Sequence, residues 1–151
     1  MRSSHRWLCL GVLVSAVAGG LSGCTPPAPA TYAVSLTDVA VEPAAVTAET
    51  PVTLTFKVLC NRTGASQLPE AEVVAEARRS GSQAVVTQRV KCAARAGQHY
   101  SAMPWEGAGR MELGKLPAWK QVITLALQPK GAAWTMPPAQ AVTIEVKQAE
   151  K

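Results

Sequence analysis

The sequence predicts an all-β domain, an antiparallel sandwich of six or seven short strands, and three observations predict it. Between residues 32 and 148, apolar residues alternate with polar or small ones at a period of two in segment after segment. That is the pattern of strands with one buried face. Turn-forming clusters such as Asn61-Arg62-Thr63-Gly64 and Ser80-Gly81-Ser82 punctuate those segments. Little of the chain has helical spacing, and many short strands with little helix pack as layered sheets.

Tyr32, Val34 and Leu36 alternate first, and Val39 and Val41 then continue on the opposite parity. A parity switch of that kind predicts a bulge or an edge strand changing sheets, and Pro43 ends the segment. The clearest strand is Val52 to Cys60, where Val52, Leu54, Phe56, Val58 and Cys60 share a face opposite Thr53, Thr55 and Lys57. Asn61 to Gly64 then reads as a turn. Residues 69–80 fit two readings. Pro69 ahead, Gly81 behind and the Ala and Glu content suit a helix, while the hairpin signal at Ser80-Gly81-Ser82 and the neighbouring strands favour strand.

In the next segment Val86, Val90 and Cys92 share a parity. Ala93 to Gly109 shows little periodicity and reads as a long loop, a length that is uncommon without a function. Arg110 to Leu116 reads as a short strand. Trp119 to Gln128 follows as a strand with Ile123, Leu125 and Leu127 on one face and Trp119 packing into the core at its start. Pro129 to Pro138 is a turn-rich connection in which Trp134 covers a sheet edge, and Gln140 to Lys147 closes the domain.

Two stretches, Val34 to Val41 and Glu49 to Val58 leading into Asn61–Gly64, resemble the opening of bacterial immunoglobulin-like domains of the cell-adhesion-related type. The resemblance implies an immunoglobulin-like fold over residues 32–148 and carries no catalytic residue.

The N-terminus resembles a different family. Arg2 and Arg6 precede an uncharged fifteen-residue run, Trp7 to Leu21, which ends in Leu21-Ser22-Gly23-Cys24. The run is shorter than the roughly 20 residues a membrane helix needs. A positive start, a short apolar core and small residues before a cut make a secretory signal peptide. The four-residue box resembles that of bacterial lipoproteins, which implies residues 1–23 as signal peptide and Cys24 as the lipidation site. A membrane then becomes a partner through the lipid anchor, since two or three acyl chains hold stably where one is marginal. Thr25 rather than Asp after the cysteine implies, by the same resemblance, the outer membrane of a two-membrane envelope, facing periplasm or surface. Thr25 to Thr31 carries three prolines and completes a semi-rigid tether over residues 24–31.

Removing 23 residues from the 151 leaves 128, enough for one domain with a core. The formal charge of +5 includes Arg2 and Arg6, and the remaining +3 is spread without a basic run, which argues against nucleic acid as a partner. Cys9 falls in the discarded run. In an oxidising compartment the remaining pair, Cys60 and Cys92, is expected as a disulfide, with two free core thiols as the alternative.

The candidate chemistry is sparse. His99 lacks the nucleophile and orienting partner of a hydrolase, so no enzyme is expected. The carboxylates Glu70, Glu72, Glu76, Glu106 and Glu112 read as a solvated face. A protein or wall-polymer partner would meet Tyr100 and Trp105 on the long loop, with Trp134 nearby, because aromatic side chains anchor partners. No cofactor is expected. The alternative is copper(I), held by His99, Met103 and Met111 with Met136, since thioether and imidazole suit that ion. The expectation is therefore a lipid-anchored envelope protein whose β-domain binds or scaffolds.

Overall fold

The computed structural model describes residues 28–64, 70–99, 101–128 and 133–149. The signal segment, Cys24 and Tyr100 lie outside these residues. The described chain is all-β: β1 Thr31–Glu42, β2 Val46–Thr47, β3 Pro51–Thr63, β4 Glu70–Arg79, β5 Val85–Ala93, β6 Trp105–Lys115, β7 Trp119–Gln128, β8 Trp134–Thr135 and β9 Gln140–Lys147. The strands join in one curled sheet of order β2-β9-β7-β4-β5-β6-β3-β1-β8. Most neighbours are antiparallel, but β8 pairs parallel with β1 and β2 pairs parallel with β9, so the sheet is mixed.

Period two decides which face is buried. In β3, Val52, Leu54, Phe56, Val58 and Cys60 are all buried between partly or fully exposed neighbours. Burying side chains of this size stabilises by about 1.5–3 kcal/mol each for the large ones. Ala71, Val73, Ala75 and Ala77 of β4, Ile123, Leu125 and Leu127 of β7, and Ile144 and Val146 of β9 complete the same core. Residues 70–79 are strand. Their alternation lies on four small or branched residues, and their outward carboxylates meet neighbours: Glu70 pairs with Lys91 at 3.2 Å, Glu72 with Arg89 at 3.9 Å, and Glu76 accepts a bond from Gln128 at 2.8 Å.

The parity switch of the first strand is a bulge. Its pairing with β3 slips between Thr37 and Ala40, and Asp38 takes φ +53°. Asp tolerates that left-handed conformation better than most residues. The extra residues return Val39 and Val41 to the inner face, and Asp38 is free to pair with Lys57 at 2.8 Å.

Four expectations are corrected. Asn61-Arg62-Thr63 continues β3 instead of turning, because these residues pair with Ala33, Tyr32 and Thr31 of β1, and only Gly64 at φ +81° leaves the strand. The long loop ends at Met103-Pro104, since Trp105 to Gly109 opens β6 against Cys60 to Phe56 of β3. Trp119 starts β7 but is 70% exposed, not core. Cys60 and Cys92 face the core as their parity predicts, yet both are free thiols, with β6 lying between their strands in the sheet.

Between β5 and β6 the ladder narrows to one register pair, Ala93 with Glu106. The register also sorts the strand ends into two poles. β1, β4 and β6 begin, and β3 and β5 end, at the pole where the chain enters. β4, β6 and β9 end, and β3, β5 and β7 begin, at the other. Ten-residue β4 sets the poles about 30 Å apart.

Candidate functional site

Among the described residues, the expected contacts Trp105 and Trp134 do not form an exposed surface. Trp105 is fully buried, 0% exposed, opposite Cys60 in the β3–β6 ladder, with the Arg62 guanidinium carbon 5.0 Å from its ring centroid. Trp134 is half-buried and stacks on Tyr32, centroids 4.3 Å apart and planes 17° from parallel. It covers the β1 edge, as its sequence context predicts.

The copper set is not brought together either. Met111 is buried in β6, six residues beyond Trp105, so about 20 Å of strand separates it from the end where Met103 and His99 lie. His99 is exposed and its Nδ1 lies 2.7 Å from the Ser101 hydroxyl. Met103 and Met136 pack against the core. Among the described residues no three His, Cys, Asp or Glu side chains group as a metal site.

The thiols are built to be inert. Burial pushes Cys60 up to about 11, and burial followed by the nearby Cys60 pushes Cys92 up to about 12. The thiolate is the reactive form, so at pH 8 Cys60 and Cys92 are expected to resist a thiol reagent in the native protein and to react fully in denaturant, as peptide mass mapping will show. Fast native labelling would contradict their burial. The same shift links to stability. An unfolded chain loses these protons near pH 9 while the native one keeps them, so their contribution is intact below pH 9 and fades as pH climbs toward 11–12.

Charge is where the two poles differ. Lys57, Arg89, Lys91, Arg95, Arg110 and Lys115 each hold a carboxylate, and Arg62 lies over Trp105. Arg95 grips Glu106 through both Nε and Nη2, which holds the Glu106 carboxyl below its usual range. Lys115 donates to Glu49 at 2.5 Å and lowers that carboxyl likewise. The cations with no carboxylate partner among the described residues are Arg78, Arg79, Lys120 and Lys147. All four sit on the adjacent strands β4, β7 and β9, at the pole far from the entering chain.

Trp119 stands at the same pole, four residues along β7 from the partner of Arg79. It is the first residue of β7, opposite Val146 and one position from Lys120, and Lys147 is the next residue of β9. Its parity matches Ile123 and Leu125, which would point it inward, but φ +84° turns it away. That conformation costs a bulky residue on the order of 1–3 kcal/mol and persists only where the surroundings impose it. Here Leu116 is buried just before it, Pro117 follows Leu116, and the Gln121 amide donates to the Ala118 carbonyl at 3.4 Å. A cleft of about 160 Å³ opens at the same pole, with Ala77, Val86, Leu113 and Ile123 on its floor and Arg79 and Lys115 among its lining.

The sequence pattern predicts Trp119 in the core. Its exposure depends on a single dihedral angle, which composition and periodicity do not encode. The unpaired cations are likewise visible only once the register shows which carboxylates reach which cations. No family model, curated protein or solved structure matches the chain.

Proposed function

We propose that the chain is a cell-envelope lipoprotein, anchored by acylated Cys24 and acting by binding through an immunoglobulin-like β-domain. The observation that carries this reading is the run Trp7 to Leu21 after Arg2 and Arg6, closed by Leu21-Ser22-Gly23-Cys24. β1 starts at Thr31, only seven residues after Cys24, which supports a short link between anchor and domain. The narrow β5–β6 junction supports a two-layered sandwich, since it divides the sheet into β2-β9-β7-β4-β5 and β6-β3-β1-β8. The exposed Trp119 supports binding as the mode of action.

Intact-mass analysis of the protein from its own membranes tests the anchor. The expected product begins at Cys24 and carries a thioether-linked diacylglycerol with an N-acyl chain, and Cys24→Ser abolishes the fatty-acid mass. A product that retains its first 23 residues without fatty acid overturns the reading.

A further inference from the structure

We propose that the pole far from the tether binds a carboxylate-bearing glycan, with Trp119 as the stacking platform and Arg78, Arg79, Lys120 and Lys147 as the anion contacts. The inference rests on the binding reading above and names its ligand class.

Three observations carry it. Trp119 is the most exposed large apolar side chain among the described residues, with Val85 at 36% the next, so the indole stands nearly alone. Protein interfaces cluster aromatic and aliphatic anchors in a desolvated centre of roughly 800 Å² per partner. A single indole beside Lys120 and Lys147 lacks that centre, but it suits the flat apolar face of one sugar ring. The second observation is charge. Among the described residues, the four cations without carboxylate partners lie on three adjacent strands at this pole, while the cations near the tether pole are held by Glu70, Glu106 and the ring of Trp105. Unpaired arginines present a planar fork that fits carboxylates two bonds at a time.

The third is spacing. Lys120 follows Trp119 and Lys147 follows its β9 partner, while Arg79 and Arg78 of β4 lie level with Ile123 and Thr124, roughly 13–17 Å farther along β7. Cations beside the indole and again farther along β7 match a polymer that carries anions on more than one unit. A tether at the opposite pole would hold this surface outward from the membrane, where such polymers lie.

The test uses the full mature protein in detergent and polygalacturonate as the probe, read by affinity electrophoresis and calorimetry. Saturable binding is expected, weakened at least about tenfold by Trp119→Ala and partly kept by Trp119→Phe. Arg79→Gln with Lys147→Gln is expected to weaken binding and flatten its salt dependence. Thermal melting of each variant confirms that the fold persists. Neutral dextran bound as tightly as the probe overturns the charge assignment. Poly-glutamate bound as tightly shows an acidic protein to be the occupant and overturns the glycan. Affinity unchanged in Trp119→Ala, or no uptake at millimolar probe, overturns the site. An unacylated protein that still binds polygalacturonate loses only its address, and an acylated one that does not bind loses only this site.

Discussion

Replacing Trp105 by Ala is expected to lower the stability of the domain by about 3–5 kcal/mol, the cost of removing a large aromatic from a core. At this chain length that corresponds to a fall in Tm of roughly 10–20 °C. The reason is position. Trp105 opens β6 with its ring fully buried opposite Cys60, and the Arg62 guanidinium covers one face. Removing the indole leaves a cavity at the core's end and strips Arg62 of its platform. Differential scanning calorimetry checks it, and a Tm within a degree or two of the parent would show Trp105 to be a surface residue after all. Trp119→Ala is the internal comparison, because an indole 70% exposed leaves no cavity behind.

Gly109→Ala is expected to be nearly as damaging, although it adds a single methyl group. Gly109 lies on the inner face of β6 opposite Phe56, and a Cβ placed there would sit within the Phe56 ring, 2.6 Å from its Cε1. Phe56 is itself only 2% exposed and has no room to retreat. Overpacking of this kind typically costs about 1–3 kcal/mol and sometimes more. Gly109 has no left-handed backbone, so its penalty is steric alone, whereas Gly81→Ala, where a Cβ meets nothing within 4 Å, carries only the backbone cost of φ +74°. Urea unfolding of the two variants decides. Gly109→Ala should lower the midpoint clearly, and a midpoint equal to that of the parent would remove the packing argument.

The same glycine explains why β6 was illegible in part. Its inner face runs Trp105, Gly107, Gly109, Met111. Leu113 follows on the same face, so two of the five inward positions carry no side chain, and the alternation that marks a strand is erased over the first half of β6. Phe56 fills the space above Gly109. Val90 and Cys92 of β5 fill the space above Gly107, where a Cβ would lie 2.8 and 3.0 Å from their side chains. Read along the chain, such glycines resemble a loop. Read across the ladder, they let two strands approach. β2 and β8 escaped for a simpler reason: two residues are too few for any period, and both are strands only because β9 and β1 pair with them.

What the sequence determined by itself is local. Alternating residues in β3, β7 and β9 chose the buried face, and the parity switch announced the bulge at Asp38. Only the tertiary structure decided that the strands share one curled mixed sheet, that Cys60 and Cys92 stay unbonded, and that Trp105 and Trp119 exchange their expected places. Side-chain period is a property of neighbours in sequence, legible wherever both faces carry side chains. Register, curl and the sign of one dihedral angle arise from residues far apart in the chain, and they determine which aromatic is core and which cations remain unpaired.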